Sequence, residues 1–350
     1  KNGPGGLRDY HNALWATAVR YGCHSLREIN ETHVLSNEEI ESLYHSVDFS
    51  LRVRNELHYL TEKKTDVLTF DVQKKLAANL GYRLSTNTQP VEEFMHDYYL
   101  HATNIHNFSQ NLFEHCRQPK RSLKKVISSL TKKSLGLGFH ISDSSLIYGG
   151  DAKKDFKKDK SLLLTALELC RKHEVTPDYK LRRQMQLNKN LIDAEFMEDM
   201  EVRDILFPIL KDKASEKILR LMHQTGILEK ILPEFGLAHC KVNHDLYHHY
   251  TADEHSLRVI RFLDELANSS LTNPTDLSAL YRGYSGKEIL KFSALLQSVR
   301  KISHDETKHH KFLQALTKRL GLNETDAKTL QFLLDNPYTL IETALHQDIH

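Results

Sequence analysis

Two places along this chain gather residue types that could do chemistry. The first is Lys1-Asn2-Gly3-Pro4-Gly5-Gly6-Leu7-Arg8-Asp9-Tyr10. A Pro-Gly-Gly turn runs straight into an apolar-periodic helix carried by Leu7, Leu14, Trp15, Ala18 and Val19. Adjacent glycines allow backbone angles that other residues avoid and let a backbone approach a ligand or another domain. Arg8 and Asp9 then fall in the first helical turn, at the positive helix end where phosphate groups are readily held. Gly5, Gly6, Arg8 and Asp9 are therefore candidates for a nucleotide or acceptor site; the plainer role for Arg8 and Asp9 is a helix-start cap or ion pair. The second place is the histidine-rich stretch from His244 to His310. His255 opens an apolar helix, and His304-Asp305, with His309 and His310 behind it, offers imidazole and carboxylate groups of the kind that bind divalent metals. His255, His304 and Asp305 could rebuild a metal site, against the simpler reading of a solvated polar loop. Most of the 22 histidines have no ligand-like spacing and suit surface or capping roles.

The elements that must position these residues are helical. Gly and Pro are scarce and the 3.6-residue period dominates. Ser36-Asn37-Glu38-Glu39 has the pattern of a capping box, leading into Ile40, Leu43, Tyr44, Val47, Leu51 and Val53. Asp71 to Leu80 forms another helix, stopped at Gly81. Pro90 starts a long helix through Phe94, Tyr98, Ala102, Ile105, Phe108, Leu112 and Phe113. Strand character is confined to Leu135 to Ile141, a turn at Ser142 to Ser145, and Leu146 to Tyr148, which together suggest a small hairpin. The five lysines between Ala152 and Lys160 could form a phosphate-facing patch, but a solvated helix start is the plainer reading. Leu162 to Leu169, Leu206 to Leu210, Ile218 to Met222 and Ile227 to Leu232 continue as short helices, punctuated by Gly226 and Pro233.

Bulk properties narrow the function classes. The chain has 350 residues, 27% charged, with a formal net charge of +2. No basic excess marks a nucleic-acid footprint or a membrane-surface protein. No apolar run approaches a membrane span, and no signal peptide is visible. Cys23, Cys116, Cys170 and Cys240 are widely spaced and form no CxxC, as expected of reduced thiols in the cytoplasm.

Three strings carry a resemblance. Pro4-Gly5-Gly6-Leu7-Arg8-Asp9 resembles the PGGLRD motif of the bifunctional uridylyltransferase/uridylyl-removing enzymes that modify PII signalling proteins. Val91-Glu92-Glu93-Phe94-Met95-His96-Asp97-Tyr98-Tyr99 is similar to the family's PVE-x-F/M-M-x-DY stretch. Asp245 to Val259 (DLYHHYTADEHSLRV) resembles its DLFHxYTVDEHTLRV string. Asp159 to Pro177 also resembles a segment shared with tRNA-nucleotidyltransferase-like proteins, where a short helical domain follows the catalytic core.

Helical periodicity implies an all-α fold with one hairpin near 135–148, and the resemblance makes it a helical bundle followed by a helical HD-like domain. It divides the chain into a helical domain at 1–134 that follows a nucleotidyltransferase core, a hairpin and connecting segment at 135–235, and an HD-like domain at 236–350. An HD phosphohydrolase takes its metal ligands from one His, an adjacent His-Asp pair and a distant Asp, and the metal generates the attacking hydroxide. His255 matches the first His. Where the family reads ALLHDIGKG, this chain has Ala294-Leu295-Leu296-Gln297-Ser298-Val299-Arg300-Lys301-Ile302, so Gln297 and Ser298 replace the metal-binding pair. A neutral amide and a hydroxyl are poor substitutes for imidazole and carboxylate. His244-Asp245 precedes the first-His motif and is not the pair. The comparable place for a later family His reads Leu334-Asp335-Asn336-Pro337-Tyr338. No metal is expected at this degenerate site, and uridylyl-removing activity is expected to be lost.

Transferases of this class hold the triphosphate on a Gly-Ser turn and two Mg²⁺ ions on an Asp-x-Asp pair, and neither string occurs in residues 1–350. The expectation is an interior portion of a longer protein involved in nitrogen regulation. Its nucleotidyltransferase core would bind Mg²⁺ and a nucleoside triphosphate and modify a PII-like partner, while this chain alone would need no cofactor. Two rival readings remain: a non-catalytic regulatory or interaction module, and a metal-dependent HD phosphohydrolase built on His255, His304 and Asp305.

Overall fold

The computed structural model describes residues 3–31, 35–84, 88–117, 133–198, 202–242, 250–268, 277–300 and 306–336. The chain divides into two compact units: 1–125 with 240–250, and 126–239 with 251–350.

The first unit is helical. α1 (Leu7–Tyr21), α2 (Leu26–Glu31), α3 (Asn37–Thr61), α4 (Phe70–Asn79) and α5 (Pro90–Arg117) follow in order. At 28 residues α5 is about 42 Å long, and α1, α3 and α4 pack along it. The capping box at the head of α3 forms on both sides. Ser36 Oγ accepts the Glu39 N–H at 3.2 Å, and the Ser36 N–H donates to Glu39 Oε2 at 2.7 Å. One core gathers Ala13, Ile29, Leu43, Ile105 and Leu112; a second gathers Val53, Leu76, Phe94 and Met95. The periodicity read for α1 places its apolar face only in part: Leu7 is buried and Leu14 packs against the core. Trp15 and Val19 are 66% and 91% exposed, and the buried face is Leu7, Ala13 and Thr17. The small Ala13 and Thr17, whose hydroxyl returns to the Leu14 carbonyl at 2.8 Å, let α1 lie close against its neighbour. Large apolar residues are what periodicity counts, so it took in Trp15 and Val19 and passed over Ala13 and Thr17. In α3, Tyr44 and Leu51 likewise face outward.

The second unit opens with a small sheet: β1 (Lys133–Gly136), β2 (Phe139–Ser142), β3 (Ser145–Tyr148) and β4 (Thr176–Pro177), in the order β1-β2-β3-β4. The β2–β3 hairpin pairs Phe139 with Tyr148 and Ser142 with Ser145. Its two-residue turn, Asp143-Ser144, has positive φ at both positions, the geometry that matches strand twist. The stretch expected as one strand, Leu135 to Ile141, is two strands, because the chain reverses at Leu137-Gly138. β4 adds a parallel partner to β3.

Helices complete this unit: α6 (Ala152–Lys158), α7 (Leu162–His173), α8 (Tyr179–Asn188), α9 (Ala194–Glu198), α10 (Val202–Leu210), α11 (Ser215–Thr225), α12 (Leu228–Ile231), α13 (Pro233–Gly236), α14 (Ala252–Asn268), α15 (Leu277–Gly283), α16 (Lys287–Arg300), α17 (Glu306–Arg319) and α18 (Glu324–Asp335). Lys153, Lys154, Lys157 and Lys158 on α6 are solvated, while Phe156 is buried. One hydrophobic core runs from Phe139 and Leu146 through Leu206, Leu219 and Leu257 to Leu295, Leu316 and Leu334. The hairpin, the connecting helices and the helices from α14 onward thus share a single interior.

Candidate functional site

The amino-terminal turn is locked from within. Gly6 donates to the Gly3 carbonyl at 3.1 Å, and the Gly5 N–H donates to Asp9 Oδ2 at 2.7 Å. Gly5 has φ +75°, and a Cβ there would sit 1.9 Å from the Ala102 carbonyl oxygen of α5. The residue is glycine for two reasons at once: the left-handed backbone and the approach of α5. Asp9 Oδ2 also lies 3.9 Å from His106 Nδ1 on α5. The carboxylate therefore supplies the negative charge that the start of α1 favours. Arg8 points away and is exposed. The structure brings Gly5 and Asp9 together and leaves the Arg8 guanidinium outside the turn, where it can meet an anion.

The second family-like string of this unit lines a cleft of about 480 Å³ formed by Phe49, Arg52, Tyr82, Arg83, Glu93 and Asp97 among others. Tyr82 donates to Asp97 Oδ2 at 2.8 Å; burial, then the Asp97 hydrogen bond and charge, push its hydroxyl far above the usual phenol range.

In the second unit, α14 turns Asp253, Ser256, Leu257, Ile260 and Asp264 inward. His255 is on the other side of this helix and exposed. Gln297 is half-buried near the end of α16, after the buried Ala294-Leu295-Leu296. Ser298 belongs to the same helix, but its side chain, like that of His309, is outside the described residues, as are His304 and Asp305 altogether. A helix turns by about 100° per residue, so adjacent positions on α14 point in very different directions. Here the inward one is Asp253, two positions ahead of His255.

Asp253 anchors a cluster that the sequence did not signal. Its residues are His223 at the end of α11, Glu229 on α12, His239 just after α13, and Asp253 at the head of α14. Asp253 Oδ2 lies 3.1 Å from His239 Nδ1 and 3.4 Å from His223 Nε2; the other ring nitrogen of His223 is hydrogen-bonded to Glu229 Oε1. Asp253 Oδ1 accepts the Glu254 N–H at 2.8 Å. The His223 and His239 rings meet edge to face, 5.2 Å between centroids, and Phe235 closes a third side of His223. Burial alone would pull the His223 pKa down; the hydrogen bonds and charges of Asp253 and Glu229 outweigh it and push the value up to about 9. Only an imidazolium can donate to both carboxylates at once. Four elements each contribute one residue, so no spacing along the chain could reveal the group.

A buried ion pair ties the same unit together. Lys291 on α16 is 2% exposed. Its Nζ donates to Asp264 Oδ1 at 2.6 Å, to Ser215 Oγ at 2.8 Å and to the Asp212 carbonyl at 2.8 Å. Asp264 Oδ2 also accepts the Glu216 N–H at 2.8 Å, so α11, α14 and α16 meet at one carboxylate. Among the described residues, no helix is long and apolar enough to cross a membrane.

Comparison with known proteins agrees with the resemblance, the family models covering the first two of the three strings. The family model described as GlnD PII-uridylyltransferase matches residues 1–113, and the one described as the third domain of uridylyltransferase GlnD matches residues 150–231. The bifunctional uridylyltransferase/uridylyl-removing enzyme of Bradyrhizobium sp. (strain ORS 278) is 29% identical across the whole chain, and that of Rhodospirillum rubrum (strain ATCC 11170) is also 29% identical across it. The corresponding enzyme of Nitrobacter hamburgensis (strain DSM 10229) is 27% identical. The chain spans 38% to 39% of the length of these relatives. With both family models matched in order and the similarity running from end to end, the chain belongs to the GlnD-like uridylyltransferase family.

Proposed function

We propose that this chain is the helical and HD-like portion of a nucleotidyltransferase that modifies a PII-like regulatory protein, and that its HD-like site has lost the uridylyl-removing reaction. The observation that carries this reading is the state of the α14–α16 positions. His255 faces solvent, and Gln297 and Ser298 stand in the string where the resemblance puts the paired metal ligands. A hydroxide-generating metal needs several anionic or imidazole ligands on one centre, and this pair offers an amide and a hydroxyl. The second unit then serves as a scaffold, held by its single core and the Lys291–Asp264 pair.

The transferase half of the proposal rests on the locked turn. Asp9 fixes the Gly5 backbone and leaves Arg8 exposed at the head of α1. Arg8 would then meet the nucleotide phosphates or the acceptor, while a triphosphate turn and Mg²⁺-binding carboxylates come from a nucleotidyltransferase core. The test is a transfer assay with labelled UTP, Mg²⁺ and a PII-type acceptor. The isolated chain should label nothing. The full-length protein should label the acceptor, and Arg8→Ala should lower its rate while leaving the helical unit folded. Labelling by the isolated chain, or an unchanged rate in the variant, would overturn this assignment.

A further inference from the structure

The string Val91 to Tyr99 has no part in the proposed function, yet it helps to line the cleft of about 480 Å³ in the first unit. Glu93 and Asp97 of α5 stand there with Arg52 of α3, with Arg83 from the segment after α4, and with Phe49 and Tyr82. Two guanidiniums and two carboxylates thus share one cavity. Among the described residues, neither guanidinium makes an ion pair or a hydrogen bond with a carboxylate. Elsewhere arginines close onto their acids: Arg54 onto Asp66, Arg171 onto Glu168 and Asp212, Arg319 onto Glu234. In the cleft, the more buried carboxylate is already braced. Asp97 Oδ2 accepts the Tyr82 hydroxyl at 2.8 Å, and Asp97 Oδ1 lies 3.3 Å from His96 Nδ1. Burial, then the Asp97 bond, keep Tyr82 protonated, so the brace holds across the ordinary pH range.

The charges left open define a ligand. Arg52 and Arg83 come from different elements, and the guanidinium fork matches phosphate oxygens. Ionised Glu93 and Asp97 only accept hydrogen bonds, so they call for O–H or N–H donors. Phe49, its ring stacked on His101 at 4.3 Å, gives an apolar wall. The volume suits a small organic molecule. We propose that this cleft binds a phosphate ester of a polyhydroxylated ring, with Arg52 and Arg83 on the phosphate, Glu93 and Asp97 on ring hydroxyls, and Phe49 against the carbon face. A free sugar phosphate and the ribose phosphate of a nucleotide share this chemistry. Phosphate alone would bring an anion beside two carboxylates with no donor for them. An unphosphorylated sugar would leave both guanidiniums without a counter-charge. The cleft therefore selects the molecule that carries both groups.

The experiment is isothermal titration calorimetry of the purified chain with ribose 5-phosphate, ribose, inorganic phosphate and adenosine 5′-monophosphate. Ribose 5-phosphate should bind as one equivalent, and ribose and inorganic phosphate should each bind about 10-fold or more weakly. Arg52 and Arg83 are exposed, so Arg52→Gln and Arg83→Gln leave the core intact, which far-UV circular dichroism checks. Each should weaken ribose 5-phosphate about 10-fold or more. Glu93→Ala should narrow the gap between ribose 5-phosphate and inorganic phosphate. Adenosine 5′-monophosphate that binds like ribose 5-phosphate, and is lost in the same variants, would place a nucleotide's ribose phosphate in the cleft; its failure to bind beside a bound ribose 5-phosphate would reserve the cleft for the free sugar phosphate. Either result keeps the site. No binding of ribose 5-phosphate, equal affinity for inorganic phosphate, or binding unchanged in both arginine variants would overturn it. An unchanged gap in Glu93→Ala would overturn the placing of the hydroxyls. None of these outcomes depends on whether the protein transfers a nucleotide.

Discussion

Replacing Gly5 by alanine isolates the closeness of the Pro4–Asp9 turn to α5. Two costs add. The left-handed φ of +75° is unfavourable for any residue with a Cβ, by roughly 1–2 kcal/mol. The new methyl would also lie 1.9 Å from the Ala102 carbonyl oxygen and 2.9 Å from the Ala102 Cα, both backbone atoms that cannot rotate away. Forcing such a contact apart costs about 1–3 kcal/mol. The expected loss is therefore about 2–5 kcal/mol, a large share of the roughly 5–15 kcal/mol of a typical domain. Gly22→Ala supplies the control. Gly22 has nearly the same φ, +72°, and nothing within 4 Å of its would-be Cβ, so it incurs the conformational cost alone. Urea unfolding followed by fluorescence is local to this unit, because Trp15 on α1 is the single tryptophan of the chain. Gly5→Ala should unfold at clearly lower urea than Gly22→Ala. If the two variants agree within about 0.5 kcal/mol, the turn does not close on α5 and the account of the glycine is wrong.

Other outcomes follow from the same geometry. Asp9→Asn weakens a charge-assisted bond to the Gly5 N–H and should lower the Trp15-detected midpoint by about 1–2 kcal/mol, less than Gly5→Ala. Lys291→Ala strands the buried Asp264 carboxylate and should cost about 3–5 kcal/mol in thermal or urea unfolding of the second unit. The pair Lys291→Met with Asp264→Leu should recover much of that loss. The raised His223 pKa stabilises the folded state fully below the ordinary value of 6.5, and that stability is lost as pH rises through about 9. Urea midpoints measured from pH 6 to 10 should fall across that window, and His223→Gln should flatten the fall.

How much of this was legible in the sequence depended on whether the signal was local. The capping box at Ser36, the start at Pro90 and the stop at Gly81 are each set by neighbouring residues, and each appears where the pattern puts it. The fold class followed from the same helical period. The outward Trp15 was not legible, because the choice of buried face depended on how closely another helix could approach. The break at Leu137-Gly138 was hidden inside an alternating run. The proposal that Gln297-Ser298 stands in place of a His-Asp pair draws only on the string. The outward His255 needed the rotation of α14, and the cluster at Asp253 needed four separate elements to be folded together.

The proposal that this chain does not remove uridylyl groups is tested directly by UMP release. The purified chain is incubated with a uridylylated PII-type protein in Mn²⁺ or Mg²⁺, and free UMP is measured over time. No release above the protein-free control is expected, and Gln297→His with Ser298→Asp is the variant in which release could return. Metal-dependent release by the unaltered chain, abolished by His255→Ala, would contradict the account.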